Sequence, residues 1–257
     1  MNQKSKIIIS ILALVILGLG GLLLKNKNIT TTKEITTPEQ PIGKDSISSK
    51  EKKTITIREE NFSGSRPVLE KNTLLEKQAD AYINQEIESF KKMADEEVPQ
   101  KRQAETGDQP ELVLYTIDIR VHSIKSPTTQ SIVIDEDTYT GGASDHTLYK
   151  TFTASQTTGK IIVLSDVIIP SKRGEFTTYV KKALQNWRPE KSVSTVVFPE
   201  EVAGLTFEDF ANWSMDSKNL TLYFDKYTIG PGALGAIAFP LSLSNIKTYS
   251  NPTYLKK

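Results

Sequence analysis

Two histidines, His122 and His146, are the side chains of this 257-residue chain whose ordinary pKa lies near neutrality. The chain has no cysteine, which rules out disulfides, thiolate metal sites and thiol nucleophiles. Acid–base or metal chemistry would therefore centre on a histidine or on carboxylates. Asp135, Asp137 and Asp145 stand close to His146 in sequence, three hard oxygen donors beside one nitrogen. Their spacing matches no calcium loop, and zinc normally takes three protein ligands, more His or Cys than this stretch offers. Ser144-Asp145-His146 has the residue types of a nucleophilic triad. Three adjacent residues rarely converge in that geometry, and no nucleophile elbow surrounds the serine. Glu200-Glu201 and Glu208-Asp209 sit where helix starts favour negative charge, whereas glycosidase carboxylates must oppose one another across a cleft. Gly230-Pro231-Gly232 lacks the pattern of a phosphate loop. No catalytic residue, metal site or cofactor is assigned on these grounds.

What remains is a chemistry of recognition. Gly141-Gly142 ends a strand, where glycine supplies positive φ without steric cost; a tight corner and a backbone facing a ligand both fit. Residues 227–235 form a second glycine-containing loop. Tyr223 and Tyr227 beside it suit a glycan or protein surface as well as they suit a strand core. The candidate binding residues are Tyr139, Gly141, Gly142, His146, Tyr227, Gly230 and Pro231.

The elements that must position these residues are read from periodicity. Thr54-Ile55-Thr56-Ile57 alternates as a strand. Leu75, Ala79, Ile83, Ile87, Phe90 and Ala94 recur at three- and four-residue steps, the buried face of a helix over about 70–97 that is expected to end before Pro99. Tyr115, Ile117, Ile119 and Val121 alternate with Thr116, Asp118, Arg120 and His122, so one face of this strand packs on a core and the other meets water or a partner. Strands over 130–140, 146–154 and 161–164 follow through hairpin-like connections, which implies an antiparallel sheet. Phe176, Val180, Ala183, Leu184 and Trp187 mark a second helix. A short helix is expected within 201–211, then a hairpin about Asp216-Ser217-Lys218, a last strand over 236–239 and a short terminal helix. The expected class is α+β, with antiparallel sheets each packed by a helix: one subdomain over 54–170 and a second over 171–257 packed on the first.

Ahead of these, residues 7–24 are apolar or glycine apart from Ser10. Eighteen helical residues span roughly 27 Å, about the thickness of a bilayer core. The run ends in Leu22-Leu23-Leu24-Lys25, a poor cleavage site, so residues 1–24 are expected to be an uncleaved transmembrane anchor. Residues 25–53 bury too little apolar surface to fold and are expected to be a disordered stalk. The short basic stretch before the run favours a C-terminal domain outside the cytoplasm. Charge is balanced, 32 Lys+Arg against 31 Asp+Glu, which lacks the cationic excess of a nucleic-acid binder.

Thr138-Tyr139-Thr140-Gly141-Gly142-Ala143 leads to a strand, a Thr-Gly-Lys turn and a run ending Leu164-Ser165-Asp166. Further on, Leu220-Thr221-Leu222-Tyr223-Phe224-Asp225-Lys226-Tyr227-Thr228-Ile229-Gly230-Pro231-Gly232-Ala233-Leu234-Gly235 precedes Phe239-Pro240. In this order the motifs resemble the paired domains of unknown function in the extracellular region of RsiV-type anti-sigma factors and PdaC-type peptidoglycan deacetylases, over about 54–250. The chain departs from that pattern in two places. It has Gly-Gly-Ala-Ser-Asp-His where the family has Gly-Gly-Ala-His-Gly, and Lys226 and Thr228 stand at positions the family fills differently. The resemblance implies a non-enzymatic, membrane-tethered binding or sensing module of the cell envelope. Its partner would be an envelope protein (lysozyme-like in the RsiV case) or a peptidoglycan-like glycan. An envelope hydrolase or carbohydrate-modifying enzyme using the 135–146 region is the alternative.

Overall fold

The computed structural model describes residues 53–104, 114–188 and 197–255. The expected anchor over 1–24 and nearly all of the expected stalk lie outside the described residues. Among those described, no helix is long and apolar enough to cross a membrane.

Six strands form the first sheet in simple chain order: β1 (Thr54–Arg58), β2 (Phe62–Pro67), β3 (Tyr115–Lys125), β4 (Thr129–Tyr139), β5 (His146–Ser155) and β6 (Ile161–Ile162). Neighbours are antiparallel except β2 and β3, which run parallel. That exception to the antiparallel expectation has a plain cause. Helix α1 (Leu74–Ala104) lies between the two strands and carries the chain back along the sheet before β3 begins.

Helix α1 starts later and ends later than its periodicity suggests. Thr73 caps it: its hydroxyl accepts from the Glu76 amide (3.1 Å), and the Glu76 carboxylate accepts from the Thr73 amide (3.0 Å). At the other end the helix continues through Pro99 to Ala104 instead of stopping before the proline. Proline removes one helical hydrogen bond, but tertiary contacts hold the final turn. Val98 is fully buried, Lys101 donates to Thr140 O (2.8 Å), and Arg102 donates to Glu60 O (3.1 Å).

The α1 face of the sheet is mostly apolar, with the buried acid Glu136 as an exception. Leu75, Ala79, Ile83, Phe90 and Ala94 bury against Ile117, Ile119, Ile132 and Ile134. The opposite face is polar, and much of it is covered from within the chain rather than left to water. Thr129 and Thr153 donate their hydroxyls to Met215 O and Trp213 O, and Thr151 accepts from the Trp213 amide. Buried hydroxyls are tolerated there because each has a partner.

Trp213 and Met215 belong to the second core. It comprises α2 (Leu164–Val167), α3 (Arg173–Asn186), α4 (Pro199–Gly204), α5 (Leu243–Ile246) and a three-stranded antiparallel sheet, β7 (Trp213–Met215), β8 (Asn219–Phe224) and β9 (Ile237–Ser242). The helix expected within 201–211 is two pieces, α4 and a 3-10 turn over Phe207–Phe210. β9 runs on through Pro240, which is admissible because β9 is an edge strand. Phe176 on α3 meets Phe210 edge-on, Phe210 meets Phe224, and Trp187 meets Phe239. The molecule is thus a mixed α+β structure of antiparallel sheets and helices.

One junction between the cores places the candidate site. Ahead of its short pairing with β6, the edge of β5 not paired to β4 is taken up by single residues of the second half. Asp225 accepts from the Tyr149 amide (2.7 Å), and Asn212 both accepts from the Thr151 amide (3.1 Å) and donates to Tyr149 O (2.9 Å). The Lys226 amide donates to Thr147 O (3.0 Å). These bonds close a strand edge that would otherwise offer free backbone groups. They also set residues 225–227 beside the start of β5.

Candidate functional site

Strands β4 and β5 are joined by a turn that begins at Tyr139 and ends at His146. Gly141 and Gly142 have φ of 90° and 102°, a region closed to most side chains. Nothing lies within 4 Å of a Cβ built on Gly142, so backbone conformation, not lack of space, calls for glycine there. The Tyr139 hydroxyl donates to Gly142 O (3.1 Å) and pins the corner.

The two glycine-containing loops come together. Tyr227 lies with its ring stacked on His146, centroids 6.4 Å apart and planes 7° from parallel, and its hydroxyl is 3.1 Å from Ser144 Oγ. Lys226 donates its ammonium to Asp145 Oδ1 (2.7 Å) and Asp145 O (2.8 Å). That hydrogen bond and charge hold the Asp145 carboxyl below its usual range and raise Lys226. Lys226 and Asp145, 81 positions apart in sequence, are thus direct partners. Of the other candidates, Gly230 is buried and packs against Leu234, turned toward the second core. Pro231 opens the 3-10 turn over Gly232–Leu234. Neither joins Tyr139, Gly141, Gly142, His146 and Tyr227 at the junction.

Beneath the turn the uncovered part of the polar sheet face makes an open depression of about 660 Å³. Thr116, Asp118 and Asp137 form its floor, Thr138 borders it, and Tyr139 with residues 142–145 makes its wall. Asp118 and Asp137 are direct partners across β3 and β4, a like-charge pairing that opposes the sheet unless each finds a counterpart. Ser65 donates to Asp118 (2.6 Å), Thr147 donates to Asp137 (2.6 Å), and Arg120 bridges Asp137 and Asp135. Burial raises the Asp135 carboxyl above its usual range despite Arg120. His122 is half-buried on the same face, paired across the ladder with Val133, and does not line the depression. Among the described residues, no group of three or more His, Asp or Glu is placed to hold a metal ion. Sequence reasoning passed over Asp118 and Arg120 as members of a solvated stripe. Their alternation was visible, but nothing local marked which end of the stripe the second core would leave open.

Both exposed tyrosines have their hydroxyls engaged and ring surface left over, Tyr139 at 38% and Tyr227 at 51% exposure. Apolar ring faces above a floor of carboxylates and hydroxyls are suited to a ligand with alternating apolar and polar surfaces.

No curated protein matches the chain. Two solved structures of DUF3298-family proteins are similar to it. One, from Bacteroides fragilis NCTC 9343, is 13% identical over 78% of this chain and 93% of its own, with a TM-score of 0.49. The other, from Pseudomonas aeruginosa PAO1, is 13% identical over 56% of this chain and 65% of its own, with a TM-score of 0.44. Residues 165–244, which hold most of the second core and the loop that carries Lys226 and Tyr227, match the family described as "Protein of unknown function (DUF3298)".

Proposed function

We propose that the chain is a membrane-anchored, extracytoplasmic binding or sensing module of the cell envelope, and that its ligand, a peptidoglycan-like glycan or an envelope protein, seats in the depression under residues 139–146. The observation that carries this reading is the meeting of two loops whose contacting residues, Ser144 and Tyr227, are 83 positions apart in sequence. They build one rim, with exposed tyrosine rings above polar side chains. A glycan ring presents C–H groups to an aromatic face and hydroxyls to carboxylates, and both kinds of group are offered here.

Titration of the full chain with soluble peptidoglycan fragments tests the glycan form of the reading. Binding is expected, with Tyr139→Ala and Asp137→Asn each weakening it about tenfold, roughly 1.4 kcal/mol. Unchanged affinity in both variants would remove this surface from consideration. The direct apposition of Asp118 and Asp137 favours a second reading, an envelope hydrolase. Both carboxylates stand on one floor, whereas glycosidase carboxylates flank the scissile bond, so the binding reading is preferred. Release of reducing ends that is lost in Asp118→Asn and Asp137→Asn would reverse that preference. The anchor has its own test: the full-length protein should sediment with membranes, and protease added to spheroplasts should digest the domain. A soluble mature form beginning near residue 25 would overturn it.

A further inference from the structure

The strands it joins give the wall of the depression one side-chain tie within the turn, the Tyr139 hydroxyl on Gly142 O. From α1, Lys101 reaches Thr140 O. The wall's other long-range ties come from the side chains of residues 226 and 227: two hydrogen bonds from the Lys226 ammonium, the Tyr227 hydroxyl on Ser144 and its ring on His146. The two sides of this contact are unequal. The Lys226 side chain is 8% exposed and the Asp145 side chain 56%, so a fixed cation reaches out to a carboxylate at the surface. Tyr227 is fixed as well. Its φ is 72°, a conformation that tyrosine rarely adopts. A Cβ on Gly232 would come within 2.3 Å of its ring, so the ring has His146 on one side and bare glycine backbone close by.

We infer that residues 226 and 227 are a latch through which the second core holds the 141–146 turn over the depression, and that releasing Lys226 and Tyr227 frees this wall while both cores stay folded. Every contact to be broken lies at the rim. The β4–β5 ladder begins at Thr138 and His146 and continues for the full length of both strands, and the junction through Asn212 and Asp225 does not involve the turn. The inference deepens the binding reading and takes its biological meaning from it. A ligand touching wall and floor together favours the latched form, and by linkage a latched wall favours the ligand.

The chain contains no cysteine, so a nitroxide on Ala143→Cys reports wall motion alone in the full-length protein. A label on Lys92→Cys, at an exposed position of α1, serves as control. Two latch variants are compared with the parent: Lys226→Met, which keeps an apolar stem, and Tyr227→Gly, which suits the positive φ. In each, the label at 143 should reorient about threefold faster or more, a nanosecond loop motion, and the label at 92 should be unaffected. An unchanged spectrum at 143 in both variants overturns the latch. So does loosening at 92 together with 143, since the residues would then be supporting the whole fold. The measurement needs no ligand. If peptidoglycan fragments fail to bind while the wall still loosens, the latch stands and the binding reading falls. If fragments bind and the wall does not loosen, the latch alone falls.

Discussion

Above neutral pH, Glu136→Gln stabilises the fold by up to about 3 kcal/mol, and between about pH 5 and pH 8 the variant loses much less stability than the parent. Glu136 lies on the α1 face of β4, paired across the ladders with Ile119 and Leu148. It is 4% exposed, and its Oε2 is buried without a hydrogen-bond partner. Burial pushes its carboxyl up to about 7, and the charges of Glu86 on α1, Asp225 after β8 and Asp137 on its own strand push the same way. Burial likewise raises Glu86 and Asp225, with Lys150 on β5 pulling both back. The sign follows from which state gives up its proton first. In the unfolded chain Glu136 ionises near its ordinary value, 4.5, and in the fold near 7. Stability contributed by the neutral acid is complete below about pH 4.5 and gone above about pH 7. Glutamine keeps the shape of the neutral acid and cannot ionise. Its amide also donates toward acceptors where the parent carries repelling carboxylates. Urea unfolding of both proteins at the two pH values decides the matter: parallel losses of stability would mean that Glu136 is ionised in the fold throughout.

The position of Glu136 also shows what periodicity conveyed and what it hid. Alternation along β3 and the stepped apolar residues of α1 identify the two surfaces that meet, because a helix stripe and one strand face can bury only against something of their own kind. The same rule assigns a charged residue to the solvent side, so an acid at a core-facing position of β4 reads as noise. The start of α1 was legible and overlooked: Thr73-Leu74-Leu75-Glu76 has the spacing of a capping box. Its end was not, since the contacts that carry the helix past Pro99 come from Lys101 and Arg102 reaching Thr140 and Glu60.

For the site, each loop was visible alone through its glycines. Their meeting was not, because it depends on how single polar residues, Asn212 and Asp225, close the edge of β5. No pattern in a sequence marks an asparagine as a strand-edge cap. Lys226 is the sharper case. A loop lysine is ordinarily a solvated one, and only the Asp145 carboxylate and carbonyl waiting at the rim explain why this side chain is buried up to its ammonium.

The strand that sequence reasoning missed carries the second large effect: Gly64→Ala destabilises the protein by about 3 kcal/mol or more. Phe62-Ser63-Gly64-Ser65-Arg66-Pro67 lacks the β-branched residues of a strand, yet it pairs in parallel with β3, Gly64 opposite Ile117. A Cβ on Gly64 would stand 1.9 Å from Ile117 O and 2.9 Å from Ile117 C. Even a close carbon–oxygen contact needs about 3.3 Å, and backbone in the middle of a six-stranded sheet cannot turn aside as a side chain can. Relief requires β2 to lift off β3. That movement strains the packing of Phe62 on Phe90 and the hydrogen bond from Ser65 to Asp118, and it takes along β1, which is paired only to β2. Asp118 would lose the hydroxyl that offsets its apposition to Asp137, so the floor of the depression loosens with the strand. Gly174→Ala is the internal control. It lies in the first turn of α3 with nothing within 4 Å of the added methyl, and alanine there should be neutral or stabilising by up to about 1 kcal/mol. Thermal melts that place the two variants together would show that the close approach of β2 to β3 costs nothing to relax, and that Gly64 is not what lets this sequence form a strand.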